Sequence, residues 1–121
     1  MPLFGRGESG PEVLPVPRGE WTPLNAPGCR NVEGRVFVAE SELSVAMLRF
    51  GPDATINEHQ ADHETEVVCL EGSGFTSVAG REAEIRAGQR VNWPAQRPHR
   101  LWTAGSPMVT LMVEHPRQYR P

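Results

Sequence analysis

The chain has 121 residues, enough for one domain around one core. Its net charge of -3 leaves no basic footprint and argues against nucleic acid as a partner. No apolar run approaches the ~18 residues of a membrane span, and the N-terminus lacks the apolar stretch of a secretory signal, so a cytoplasmic location away from the membrane is the expectation.

Residues 1–34 are rich in Pro and Gly, with Gly10-Pro11, Pro15, Pro17, Pro23 and Pro27-Gly28 as breaks. They read as an irregular arm carrying one or two short strands at most, of the kind that lies free or crosses to a neighbouring subunit. From residue 35 to 121 the pattern becomes that of a barrel domain. Strands are expected at Arg35–Ala39 and Leu43–Phe50, the second stopped by Gly51-Pro52-Asp53. Further strands are expected at Thr65–Leu70, Gly74–Val78 and Glu82–Arg86, with Ala79-Gly80-Arg81 as a hairpin turn. Arg90–Trp93, His99–Thr103 and Met108–Glu114 complete the set. Short strands separated by regular turns, with no helical pattern, argue an all-β sandwich or barrel.

Several chemistries are excluded early. All twelve basic residues are Arg, so no lysine amine is present for Schiff-base catalysis. No Gly-x-Ser-x-Gly turn is present for serine-type hydrolysis. The two cysteines, Cys29 and Cys69, are too few for a disulfide framework and read as reduced thiols.

The segment Gly88-Gln89-Arg90-Val91-Asn92-Trp93-Pro94-Ala95-Gln96-Arg97-Pro98-His99-Arg100-Leu101-Trp102-Thr103 resembles the second motif of the cupin superfamily, G-x5-P-x-G-x2-H-x3-N. Gly88, Pro94 and His99 match, while Gln96 stands for the glycine and Thr103 for the asparagine. The first motif, G-x5-H-x-H-x3,4-E-x6-G, is degenerate. Counting from Gly51 puts Asn57 and His59 at its two histidine positions and either His63 or Glu64 at its glutamate. The resemblance covers roughly residues 35–115. It implies a double-stranded β-helix, or jelly-roll, barrel.

The resemblance also implies a metal site. The preferred ligands are His59, His63 and His99, with Asn57 as a weak oxygen donor and Glu64 as the competitor of His63. Strand parity fits this set, because Asn57, His59, His63, Val67 and Cys69 share one face if no bulge intervenes. Three neutral imidazoles suit Fe, Mn, Ni, Cu or Zn as a divalent ion and leave coordination positions open for substrate or water. Trp93, Trp102 and Cys69 are candidate pocket residues; core or interface packing and an inert buried thiol are the plainer readings. His115 reads as exposed and structural.

The function implied is that of a small mononuclear metal enzyme of dioxygenase or oxidoreductase type, acting on a small organic molecule in the barrel. A metal-dependent isomerase or lyase uses the same ligands without a redox step. A non-catalytic small-ligand-binding module is the reading from another class, since fold alone does not imply catalysis. A homodimer is the expected assembly, by analogy with small cupins.

Overall fold

Alternating apolar and polar residues, cut by Gly, Pro and Asn turns, produce eight strands in a computed structural model that describes residues 10–116. They are β1 (Arg18–Pro23), β2 (Cys29–Ala39), β3 (Ser44–His59), β4 (Thr65–Val78), β5 (Arg81–Arg86), β6 (Arg90–Trp93), β7 (His99–Trp102) and β8 (Met108–Glu114). Among the described residues none is helical, and no helix is long and apolar enough to cross a membrane.

All pairings are antiparallel, and the two longest strands each serve two sheets. The first half of β3 lies between β2 and β8, whereas Thr55, Ile56 and His59 pair with β7. Likewise the first half of β4 lies between β6 and β8, and its second half between β5 and β7. One sheet therefore runs β1-β2-β3-β8-β4-β6 and the other β2-β3-β7-β4-β5, which β2 joins through Cys29 and Arg30, the two facing each other as in a jelly roll.

Two expected boundaries move, for a physical reason. Gly51-Pro52-Asp53 and Glu71-Gly72 end no strand; they are the corners at which β3 and β4 pass from one sheet to the other. Asp53 has φ 58° and Gly72 φ 75°, and the β4–β8 register shifts between Cys69 and Glu71. A β-bulge with a left-handed residue bends a strand sharply without breaking it. A Cβ on Gly72 would run into the backbone carbonyl of Pro107, so this corner admits only glycine.

The sheet also begins inside the segment expected to be an irregular arm. β1 and the first part of β2 occupy residues 18–34, and Cys29 pairs with Ile56 across β3. The Pro/Gly signals between Pro23 and Gly28 belong to the turn that joins these strands. Residues 10–17 carry no regular structure and expose Val13, Leu14 and Val16.

The core fills the space between the sheets. Val32, Leu48, Phe50, Ile56, Val67, Leu101, Met108 and Met112 all face inward. Cys69 joins them, fully buried, with its thiol directed at the carbonyls of Glu71 and Gly72 at 3.5 and 3.6 Å. Burial pushes the pKa of this thiol up, with the Glu71 backbone opposing, as suits a structural group.

Candidate metal centre

At the end of the barrel where β3 meets β7, His59 and His99 are direct cross-strand partners. Their Nε2 atoms lie 3.2 Å apart and the rings meet edge to face, 4.4 Å between centroids. The bulge between Ile56 and His59 makes this possible. Ile56 faces inward, the register slips, and His59 lines the cavity mouth while remaining exposed.

The backbone sets the tautomer of each ring. His59 Nδ1 is 3.0 Å from the carbonyl of Asn57, and His99 Nδ1 is 3.1 Å from the carbonyl of Arg97. A carbonyl only accepts, so each Nδ1 carries the proton and each Nε2 is left with a lone pair. Two acceptors then face each other at hydrogen-bond distance with no proton between them. Protonating His99 is a costly remedy. Burial, helped by the charge of His59, pushes the His99 pKa down to about 4, against the opposing pull of the Arg97 carbonyl.

A shared cation suits the pair. Nitrogens held ~2.0–2.1 Å from one zinc ion lie roughly 2.9 Å apart at an octahedral edge and roughly 3.4 Å apart at the tetrahedral angle. The observed 3.2 Å falls inside that interval. Trp93 holds the buried ring in place: its indole stacks on His99 with centroids 4.1 Å apart, and its Nε1 donates to Thr76 Oγ1 at 3.0 Å.

The remaining sequence candidates divide. His63 lines the same cavity as the pair, but its nearest polar partners are carboxylates. Its Nε2 is 3.3 Å from Glu114 Oε1 and its Nδ1 3.3 Å from Asp62 Oδ1, so each ring nitrogen faces a carboxylate oxygen. Among the described residues no three His, Cys, Asp or Glu side chains converge on one point. Asn57 does not join the histidines. Past the bulge it is exposed, its Oδ1 accepts from Thr55 Oγ1 at 3.1 Å, and its amide packs against Gly28. Glu64 is exposed and offers only its backbone carbonyl, to the His115 N–H. Trp102 lies on the outer face, stacked on Phe75 and covered by Arg100. Neither it nor Cys69 lines the cavity; Trp93 does.

The cavity measures about 380 Å³. Leu24, Ala46, Leu48, Ile56, Ala61 and Met112 form apolar walls around the three histidines, Thr65, Cys29 and Glu114. Cys29, Leu24 and Glu114 carried no sequence signal for this place: the first two fall in the expected arm, and the third looked like an ordinary strand end. A larger open groove of about 550 Å³, bordered by Pro23, Asn31 and Arg49, holds none of the histidines.

Solved structures share this architecture at low sequence identity. The polyketide cyclase RemF from Streptomyces resistomycificus is 19% identical with TM-score 0.76, covering 90% of this chain and 81% of its own. The cupin-2 domain protein Rru_A2000 from Rhodospirillum rubrum is 14% identical with TM-score 0.75, covering 95% and 81%. A predicted oxalate decarboxylase from Thermotoga maritima is 20% identical with TM-score 0.70, covering 79% and 90%. At such identities the likeness establishes the fold alone. No curated protein is significantly similar to the chain in sequence. The family model described as "Cupin domain" matches residues 46–114, more than half of the chain, and the protein belongs to the cupin domain family.

Proposed function

We propose that this cupin is a small mononuclear metal enzyme of oxidoreductase type, with dioxygenase-like chemistry on a small, largely apolar organic molecule held in the cavity. The observation that carries the reading is the His59–His99 pair, two Nε2 lone pairs facing each other at 3.2 Å. These two imidazoles would hold the divalent transition ion. When bound, such an ion supplies Lewis-acid polarisation of a substrate oxygen and, if redox-active, electron transfer with O2.

The chain's own residues would do the rest. The carbonyls of Asn57 and Arg97 fix both rings, and Trp93 holds His99 against rotation. Apolar walls exclude water and select a substrate with little charge. His63 Nε2 and Glu114 Oε1 stand 3.3 Å apart at the cavity wall and would relay a proton to or from a bound molecule. That pair favours a second reading, a metal-dependent isomerase or lyase, in which proton transfer replaces redox chemistry. The polyketide cyclase and the predicted oxalate decarboxylase of similar fold span comparable breadth.

Elemental analysis and calorimetric titration with Fe(II), Mn(II), Ni(II), Cu(II) and Zn(II) test the proposal. One equivalent in the wild type, lost in both His59→Ala and His99→Ala and retained in His63→Ala at about a tenfold weaker affinity or better, supports it. A wild-type chain that takes up none of these ions leaves only a ligand-binding module.

A further inference from the structure

The histidine cavity and the larger open groove share a wall. Leu24 and Cys29 line both, so the same two residues bound the two spaces. The spaces differ in character. Apolar walls surround the histidines in the cavity, whereas the groove has a buried apolar floor of Val32, Phe50 and Met108 beneath an exposed polar rim that includes Asn31 and Arg49.

Cys29 is the fixed half of the wall. It opens β2, pairs with Ile56 on β3, and its N–H donates to the Ala26 carbonyl at 3.1 Å. Leu24 stands on the turn between β1 and β2. Its N–H donates to the Val32 carbonyl at 2.9 Å, which holds the backbone, and its side chain reaches in beside Leu48. Gly34 makes room for it: a Cβ there would stand 3.1 Å from Leu24 Cδ1 and 2.9 Å from Leu48 Cδ2. The next four residues, 25–28, are exposed, so Leu24 is the turn's one contribution to the core.

We infer that Leu24 sets the length of the molecule the cavity accepts, by closing it off from the groove. At roughly 30 Å³ per non-hydrogen atom, the share of a water molecule in the liquid, 380 Å³ holds on the order of a dozen such atoms. A longer chain meets Leu24. With that side chain cut back, the cavity runs on into the groove of about 550 Å³, where the polar rim receives the far end of the chain. The inference rests on the cavity being the ligand site of the proposed function, and it does not depend on the metal.

Straight-chain α,ω-alkanediols, titrated into the metal-free full chain and followed by tryptophan fluorescence, test this, since Trp93 lies in the cavity wall. Each added methylene that is buried should tighten binding about fourfold. In the wild type the gain should stop when the cavity is full, near a dozen non-hydrogen atoms. Leu24→Ala should carry the gain on by about six atoms or more, well within the capacity of the groove. Met112→Ala removes as many atoms from a wall the groove does not share, so it should move the limit by only about three. Circular dichroism checks the folding of each variant, and Leu24→Val, a milder truncation, should move the limit in the same direction. A limit that Leu24→Ala shifts no further than Met112→Ala overturns the inference and leaves the reading of the site intact. A wild type whose gain runs on past the cavity's capacity, or that binds none of the diols, overturns it too. Metal uptake is decided separately by the titrations above, since no ion is present here.

Discussion

Acid should destabilise the metal-free protein through His99, by an amount its surroundings determine. The side chain is 2% exposed between Trp93 and His59, and burial together with the charge of His59 pushes its pKa down to about 4. In the unfolded chain the same imidazole titrates near 6.5, its ordinary value. Above ~6.5 both states are neutral and His99 adds no pH dependence. As the pH falls toward 4 the unfolded chain takes up a proton that the folded chain refuses, and stability is lost. Below about 4 both states are protonated and the loss is complete. The interval corresponds to as much as about 3 kcal/mol, or a melting temperature lower by roughly 10 °C for a domain of this size. Urea melts at pH 7, 5.5 and 4 with a chelator present, wild type beside His99→Gln, isolate this contribution, because every other titrating group is common to both. His59→Gln should shrink the effect without abolishing it, since burial is the larger cause. If wild type and His99→Gln lose stability in parallel, the buried neutral imidazole is not as described.

Trp93→Phe keeps a ring on His99 but removes the Nε1–H donor to Thr76; a loss of about 1 kcal/mol is expected in denaturant melts, against about 3–5 kcal/mol for Trp93→Ala. Thr103→Val should cost roughly 2–4 kcal/mol. The buried Thr103 hydroxyl donates to the Gly51 carbonyl at 2.6 Å and accepts from the Ala54 N–H at 2.9 Å, and valine strands both groups. Gly72→Ala should lower stability by at least about 2 kcal/mol, because φ 75° and the Pro107 carbonyl both oppose a Cβ; a neutral melt would mean that the β4 corner relaxes freely.

The parts of the sequence that proved legible are those where one local cause acts. Arg90–Trp93 and Met108–Glu114 were bounded correctly by a turn or a proline on either side. His99 follows a Pro turn and opens a strand, so its position was readable, and Trp93, one strand earlier, reached the cavity as a candidate. The errors arose where a long-range pairing overrode a local signal. Gly51-Pro52-Asp53 looks like a strand end, yet β3 continues through it because β7 offers a second set of partners. Simple alternation set Asn57 beside His59, and one bulge turned it outward. Trp102 follows Leu101, which faces the core, so it had to face outward; nothing nearby told which of the two would. His63 was grouped with the other histidines by the motif resemblance and strand parity, and its carboxylate partner Glu114 comes from β8, far along the chain.

The carbonyls that anchor the two rings have a consequence for how the site tolerates change. Main-chain groups supply the orientation, so the side chains at positions 57 and 97 are free of that duty. Substitutions there that keep the backbone path should leave both imidazoles aimed as before, whereas a one-residue insertion between Ile56 and His59 would reverse the face on which His59 emerges. The site is thereby robust to replacement of its neighbours and sensitive to their number.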